Sequence, residues 1–327
     1  MKILVIGAGS IGRRHIGNLN SLGYADIDVA DLSEECRDHV RENYKVNDCF
    51  KDFRKASSAN HYDAAFILTP PAYHTDAACK LAEKGIDIFI EKPLSDRIEG
   101  LNRLIKIKED KGITAMVGYN QRFNRGIQML KRDLESGILG KIYYIRAEVG
   151  QYLPDWRPEQ DYRKSYTARK DLGGGIILDA SHEIDYVLWL AQSRVTEVKS
   201  AYGKLSDLEI EVEDMAEAIL KFENNIIGSI HLNMIERGYN RYCKIVGEKG
   251  SLKWTFKEGL MEHYDGIADK RSTEKLGVDP NQSYLDEINH FFSCTKKRTE
   301  PLTNLYTAKE TLETVMRMKG GKECQLQ

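Results

Sequence analysis

The chain has 327 residues, a length that suits two domains better than one small one. Hydrophobic residues make up 41% and charged residues 30%, the balance of a soluble globular protein with ample material for a core. A formal charge of −2 gives no basic field, so nucleic acid is not an expected partner, and no run approaches the roughly 20 apolar residues of a membrane span.

The opening run MKILVIGAGS starts like a secretion signal, but glycines interrupt it after Ile6 and leave no apolar h-region. Lys2–Ile6 reads instead as a strand. Gly7-Ala8-Gly9-Ser10-Ile11-Gly12 follows it and opens a helix. In that setting the first glycine permits the tight turn and the second lets backbone approach a pyrophosphate. The third lets helix and strand pack closely, with phosphate at the helix N-terminus. The second strand, Ile27–Ala30, ends in Asp31, the acid this fingerprint wants about 20 residues on. Two readings stay open: a ligand for the ribose hydroxyls, or a helix N-cap, since Asp31-x-x-Glu34 resembles a capping box. An acid there without an arginine directly after it favours NAD over NADP. Arg13 and Arg14 read as first-turn surface residues, the alternative being a phosphate contact.

Further strands at Ala64–Thr69, Ile86–Ile90 and Thr114–Val117 alternate with helical segments such as Tyr73–Lys84 and Ile98–Lys111. That alternation predicts an α/β unit, a doubly wound parallel sheet with helices on both faces. The strand ending at Ile90 runs into Glu91-Lys92-Pro93, which is either an idle charged strand end or a functional one. A residue before proline is held extended, which fixes where the Lys92 side chain leaves the strand. Ligands of open α/β sheets bind at such carboxyl ends, where an ammonium can stabilise a developing alkoxide.

A boundary near residues 118–125 separates a first domain over 1–120 from a second over 121–327. The pattern then changes to longer strands at Ile142–Val149, Val195–Tyr202, Met215–Phe222, Ile226–Leu232, Tyr242–Val246 and Leu252–Phe256. These predict an α+β domain with an open, mainly antiparallel sheet. Helices are expected over Ile176–Ala191, Tyr284–Cys294 and Leu305–Met318, the second of them capped by Lys296-Lys297-Arg298. The stretch GQYLPDWRPEQDYRKSYTARKDLGGG, residues 150–175, interleaves Tyr152, Trp156, Tyr162 and Tyr166 with Arg157, Arg163, Lys164, Arg169 and Lys170. Aromatics stack on sugar or base faces and arginine binds carboxylate or phosphate bidentately, so this is either a pocket wall or a surface loop at an oligomer contact. After the glycines, Asp179, His182 and Asp185 recur every three residues and share one helix face, opposite Leu178, Ile184, Val187, Leu188 and Leu190. Such a face is either catalytic or merely solvated. The six cysteines show no Cys-x-x-Cys or Cys/His spacing, so no metal site is expected, and their scatter suggests a reducing cytoplasm.

Ile67-Leu68-Thr69-Pro70-Pro71-Ala72-Tyr73-His74, Glu91-Lys92-Pro93 and Gly118-Tyr119-Asn120-Gln121-Arg122-Phe123 follow the glycine fingerprint in order. Gly173-Gly174-Gly175 with Asp179 and His182, and Ile245-Val246-Gly247-Glu248-Lys249-Gly250-Ser251-Leu252, come later. Together they resemble the Gfo/Idh/MocA family of NAD(P)-dependent oxidoreductases along nearly the whole chain. The resemblance implies a Rossmann domain over 1–120 and, over 121–327, a domain for substrate and for self-association, as a homodimer or homotetramer, through its sheet. It implies hydride transfer between nicotinamide and a sugar or polyol carbon. Cofactor contacts are then expected from Gly7, Gly9, Ser10, Ile11, Gly12, Asp31, Thr69, Pro70, Glu91, Lys92 and Asn120. His74 either joins them or is a first-turn helix histidine. Lys92, His182 and Asp179 become the catalytic residues. Asn120, Trp156, Arg157, Tyr162 and Arg163 join Asp179 and His182 around the substrate, while Arg122 and Phe123 either line the pocket with Asn120 or pack at the domain junction. In one departure, the family pattern has one more residue between the acid and the histidine than stands here. The 150–175 stretch with Leu178-Asp179-Ala180-Ser181-His182-Glu183 is similar to members associated with bacterial surface-sugar biosynthesis, which implies an acidic or nucleotide-linked sugar. The alternatives are a polyol (inositol-like) dehydrogenase and a non-catalytic sensor of sugar and NAD. Retention of both Lys92 and His182 argues against the sensor.

Overall fold

The computed structural model describes residues 1–277, 279–320 and 322–323. The chain forms two compact units, one of Met1–Asn120 with Tyr284–Lys309, the other of Gln121–Ser283 with Glu310–Gln327. The segment expected to lie wholly in the second domain therefore gives residues 284–309 back to the first.

The first unit is built on a parallel sheet of β1 (Ile3–Ile6), β2 (Ile27–Ala30), β3 (Cys49–Phe50), β4 (Ala64–Ile67), β5 (Asp87–Ile90) and β6 (Ala115–Val117), in the order β3-β2-β1-β4-β5-β6. Helices α1 (Ser10–Ser21), α2 (Glu34–Asn43), α3 (Phe53–Ala59), α4 (His74–Ala82) and α5 (Leu101–Lys111) connect the strands. β1, β2, β4 and β5 are buried at every residue, so they read as apolar runs without alternation. Two acids interrupt those runs and each has partners. Asp28 accepts the Tyr62 hydroxyl at 2.7 Å and lies 3.1 Å from Lys2 Nζ; Asp87 accepts Thr114 N at 2.7 Å. Strand order reverses between β1 and β4, which opens a crevice at their carboxyl ends.

The second unit adds α6 (Arg125–Glu135), α7 (Ile176–Asp179) and α8 (Ser181–Ala191) to a large sheet. Its strands are β7 (Ile142–Gly150), β8 (Val195–Gly203), β9 (Met215–Phe222), β10 (Ile227–Asn233), β11 (Asn240–Gly247), β12 (Gly250–Thr255), β13 (Leu260–Asp265), β14 (Lys270–Lys275) and β15 (Lys322–Glu323). They run in the order β14-β13-β12-β11-β7-β10-β9-β8-β15, antiparallel except where β10 meets β7 and β15 meets β8. Alternation fixes the two faces: in β9, Ala216, Ala218, Leu220 and Phe222 are buried while Ile219 and Lys221 point out. α8 packs on β7 and β10, and α6 lies on β12 with Gly126 against the Trp254 ring, where a Cβ would stand 2.0 Å from the indole nitrogen. The uncovered face carries a polar network, in which Glu148 accepts from Tyr242 at 2.7 Å and Asn240 at 2.9 Å.

Beyond the second sheet the chain returns through α9 (Gln282–Lys297), and α10 (Leu305–Lys319) follows. Within the first unit Phe291 meets Phe66 and Phe89 edge-on, with ring centroids 5.5 and 5.8 Å apart. Arg298 closes on Asp87 at 2.6 Å, and Val117 N donates to Thr303 O, so the returning chain covers the exposed edge of β6.

Candidate active site

The first unit holds the glycine loop. Gly7 has φ +97°, and a Cβ on it would stand 2.6 Å from Leu68 O. A Cβ on Gly12 would stand 2.1 Å from Gly7 O, so α1 can approach β1 only through a glycine. Gly9 is the opposite case: nothing lies within 4 Å of where its Cβ would be, and it and Ser10 are exposed at the start of α1. No side chain caps that helix and no acid sits in its first turn, leaving the N-terminal amides of Ser10 and Ile11 for an anion. Asp31 Oδ2 accepts Ala8 N at 2.7 Å and Oδ1 accepts Ser33 N at 2.8 Å, which pins the carboxylate beside the loop. Asp31 is not the cap of α2. Ser33 is, accepting Cys36 N at 3.2 Å. Arg13 braces the loop through Ala8 O at 3.1 Å, and Arg14 lies over the Tyr284 ring at 4.8 Å.

After β4, Thr69 and Pro70 turn into α4. Thr69 Oγ1 is buried with no hydrogen-bond partner among the described residues, an orphan group of the kind a ligand satisfies. These features fit a dinucleotide: the open Gly9, the uncapped helix, the pinned acid and the orphan hydroxyl. His74 does not belong with them. It is fully buried, with Nε2 2.6 Å from Thr69 O and Nδ1 2.9 Å from Pro93 O, so both ring nitrogens are committed to backbone. Burial pushes its pKa down, against the pull of those carbonyls. His74 ties the Thr69 loop to the segment after Lys92. Glu91 is buried at the end of β5, with Oε2 3.6 Å from His15 Nε2, Lys92 is half-buried, and the Lys92–Pro93 peptide is cis. Asn120 is buried at the end of this unit.

In the second unit the 150–175 segment is four single 3₁₀ turns, at Leu153–Trp156, Tyr162–Lys164, Tyr166–Ala168 and Lys170–Leu172. At Gly174 a Cβ would meet the carbonyls of Tyr166, Thr167 and Arg169 at 2.4–2.7 Å, so the turn closes only on glycine. The helix expected across Ile176–Ala191 breaks at Ala180 (φ −90°, ψ 26°) into α7 and α8. Asp179 ends the first piece and accepts the Tyr166 hydroxyl at 3.0 Å and Thr167 Oγ1 at 2.5 Å. His182 is 8% exposed in the first turn of α8. Ser181 to Leu188 are all buried, so a solvated polar face is excluded. Asp185 is fully buried with Arg122, its two oxygens each 2.7 Å from the guanidinium, and Thr311 adds a third contact at 3.2 Å. Burial pushes the Asp185 pKa up, opposed by Arg122. The face expected to unite Asp179, His182 and Asp185 is thus divided, and Asp185 belongs to an ion pair.

The loop's basic residues separate too. Arg163 is exposed and held by Asp161 at 2.9 and 3.1 Å and Glu209 at 2.6 Å, which raises its pKa and leaves its charge spent on neighbours. Tyr162 also faces that side, its hydroxyl accepting Glu209 N at 3.3 Å. Arg157 has no ion pair or side-chain hydrogen bond among the described residues. Its neighbour Trp156 is fixed by Nε1 donating to Gln151 O at 3.0 Å. Sequence reading missed His15 and Glu287, buried in the first unit; the signal for Glu287 was a carboxylate inside the α9 stripe of Tyr284, Ile288, Phe291 and Phe292. Among the described residues no group of His, Cys, Asp or Glu is arranged to hold a metal, no helix is long and apolar enough to cross a membrane, and Cys36, Cys49, Cys79, Cys243 and Cys294 are free thiols; Cys324 lies outside them.

Residues 1–119 match the model of the oxidoreductase family with an NAD-binding Rossmann fold, and residues 127–253 match the GFO/IDH/MocA C-terminal domain. Myo-inositol 2-dehydrogenase of Thermotoga maritima is 26% identical, with 96% of each chain covered. scyllo-Inositol 2-dehydrogenase (NAD(+)) of Bacillus subtilis is 24% identical, with 96% of this chain and 91% of its own covered. In fold the chain is similar to the WlbA dehydrogenase from Bordetella pertussis, solved with NADH and UDP-GlcNAcA, at a TM-score of 0.81, 22% identity and coverage of 97% and 96%. Both parts of one family's architecture are matched in their order along the chain, which belongs to the Gfo/Idh/MocA family of NAD(P)-dependent oxidoreductases, dehydrogenases acting on CH–OH groups of sugars and polyols.

Proposed function

We propose that the protein is an NAD-preferring dehydrogenase of an anionic sugar, acidic or nucleotide-linked. Asp31 supports the cofactor preference, since a carboxylate pinned by two backbone amides suits ribose hydroxyls and repels a 2′-phosphate. The observation that carries the substrate class is Arg157, a cation with no counter-charge among the described residues and next in the chain to a fixed tryptophan. Bound at the glycine loop, the nicotinamide would accept or donate the hydride. Lys92 donates a hydrogen bond to the reacting substrate oxygen and steadies the charge developing on it. His182 takes the hydroxyl proton in oxidation and returns it in reduction. Asp179, anchored by Tyr166 and Thr167, binds a substrate hydroxyl through its carboxylate. Trp156 offers a stacking face, and Asn120 a polar contact.

A second reading, a polyol dehydrogenase, is favoured by one observation: Arg163, the other basic residue expected at an anion, is neutralised by Asp161 and Glu209. The exposed Ile219 and Ile227 on the open sheet face support self-association there. Purified protein is to be screened against nucleotide sugars, sugar acids and polyols while nicotinamide absorbance is followed. Turnover of sugar acids or nucleotide sugars supports the first reading, turnover of neutral polyols alone supports the second, and binding without turnover of any of them makes the chain a sensor.

A further inference from the structure

His15, Glu91 and Glu287 are three buried titratable side chains of the first unit, the last on the face of α9 whose Tyr284 and Phe291 rings meet His15 and Phe89. His15 lies on the inner side of α1 with no exposed surface, walled by the rings of Phe89, Tyr284 and Phe66 at centroid distances of 5.2, 5.9 and 6.0 Å. Neither ring nitrogen has a hydrogen-bond partner among the described residues, and the 3.6 Å from Nε2 to Glu91 Oε2 is too long for one. Glu287, on α9, has no exposed surface, and neither of its carboxyl oxygens has a partner among the described residues. The backbone itself makes room for this group: a Cβ on Gly118 would stand 2.6 Å from Glu91 Oε2 and 3.1 Å from the Phe89 ring. The charged and titratable neighbours are Tyr284 on α9, half-buried, Arg14, exposed on α1 with its guanidinium 4.8 Å from the Tyr284 ring, and Lys92, next to Glu91 in the chain. The charges of Glu91, Glu287, Arg14 and Lys92 all act on the Tyr284 hydroxyl, so Lys92 belongs to the same electrostatic neighbourhood.

Two carboxyl groups in one dry site cannot both be charged without a cation against each. Burial and the charge of Glu91 push the Glu287 carboxyl well above its ordinary range. We propose that Glu91 and Glu287 form a proton-sharing carboxyl pair, boxed by His15, that sets the charge facing Lys92 and makes Glu287 a positioning residue for it. With the proton on Glu287, one negative charge at most faces the lysine. When that proton leaves for solvent at higher pH, a second negative charge appears beside Lys92 and holds it as the ammonium. The consequence for turnover rests on the role given to Lys92 above; the pair itself does not.

The test uses resting, full-length protein without substrate, so it is independent of whether Lys92→Met abolishes turnover. Infrared spectra of wild type near neutral pH are expected to contain the carbonyl band of a buried carboxylic acid that Glu287→Gln removes. Glu287→Gln, which keeps shape and neutrality, is expected to fold and to melt no lower than wild type. Lys92, followed by acylation and peptide mass analysis at a fixed alkaline pH, is expected to react several-fold faster in that variant, because the second negative charge can no longer form. If Glu287→Gln does not fold, Glu91→Gln reads the pair from the other side: without the Glu91 charge, the acid band disappears at lower pH than in wild type. An acid band surviving in Glu287→Gln overturns the proposal. So does Lys92 acylation at the wild-type rate in Glu287→Gln, or a band in Glu91→Gln that titrates as in wild type.

Discussion

Replacing Asp31 by asparagine should erase the preference for NADH over NADPH. Both carboxyl oxygens are held, by Ala8 N at 2.7 Å and Ser33 N at 2.8 Å, and Arg37 holds the Asp31 carbonyl at 2.7 Å, so the side chain cannot swing away from a 2′-phosphate. A unit charge about 4 Å from another costs about 4 kcal/mol at an effective dielectric of 20 and about 1 kcal/mol in bulk water. Those limits correspond to about 10³-fold and about fivefold in affinity. Asp31 is half-buried, and the guanidinium groups of Arg13 and Arg37 beside it offset part of the repulsion, so the expected wild-type preference is about 10- to 100-fold. Asparagine keeps an oxygen for one of the two amides and removes the charge. Fluorescence or calorimetric titrations with NADH and NADPH, at low and high salt, measure the ratio. Salt should narrow it in wild type and leave it nearly unchanged in Asp31→Asn. Wild-type protein binding NADPH as tightly as NADH would remove Asp31 from the ribose site and refute the argument.

Lys92→Met should leave NADH binding largely intact and nearly abolish turnover, since the lost interaction belongs mainly to the transition state; a normal kcat would refute its role. His182→Asn should lower kcat by about 10²- to 10⁴-fold and flatten the acid limb of the pH–rate profile for oxidation while keeping cofactor affinity. A fall in melting temperature with kcat intact would instead make His182 a packing residue. Arg157→Ala should raise KM for anionic sugars and spare neutral ones, whereas Arg163→Ala should change neither; equal effects from the two would mean the Arg163 ion pairs do not decide its role. For Glu287 the sign follows from linkage. Its carboxyl is raised in the folded state above an unfolded value near 4.5, so between the two the unfolded chain binds fewer protons and wild-type stability falls as pH rises. Glutamine does not titrate, so the melting-temperature gain of Glu287→Gln should grow from acid to neutral pH, and a pH-independent difference would contradict a buried neutral acid.

The parallel sheet was legible because β1, β2, β4 and β5 are short apolar runs bounded by turn residues, and the second sheet because β7, β9 and β10 alternate cleanly. β14, Lys-Arg-Ser-Thr-Glu-Lys, is exposed at every residue and pairs at a sheet edge, so no hydrophobic pattern announces it. β3 is two residues long. Return of 284–309 to the first unit depends on what Phe291 and Arg298 meet, Phe66 with Phe89 and Asp87, and partners so distant along the chain leave no local trace. The split at Ala180 was equally invisible: its residues favour a helix, and the break follows from the tight Gly173–Gly175 turn and the anchoring of Asp179 by Tyr166 and Thr167.

What the sequence could not supply for the site was the pairing of its charges, and that pairing sorts structural from functional groups. Asp185 and Glu183 are fully buried, and each stands against an arginine, the buried Arg122 at 2.7 Å and the partly exposed Arg241 at 2.8 Å. Removing one partner of such a pair strands the other, which explains their presence without any chemistry. Arg163 is the surface version of the same case, satisfied by Asp161 and Glu209. Arg157 and Glu287 differ: among the described residues one is a cation with no counter-charge, the other a buried acid with no hydrogen-bond partner. A buried or positioned charge left unmatched by the fold costs stability, and perturbed groups of this kind cluster where a protein binds or reacts. On that ground we propose a ligand for Arg157 and the setting of Lys92 for Glu287; the first stands in a stretch whose composition is conspicuous, whereas the second is marked only as an acid inside an apolar helix stripe.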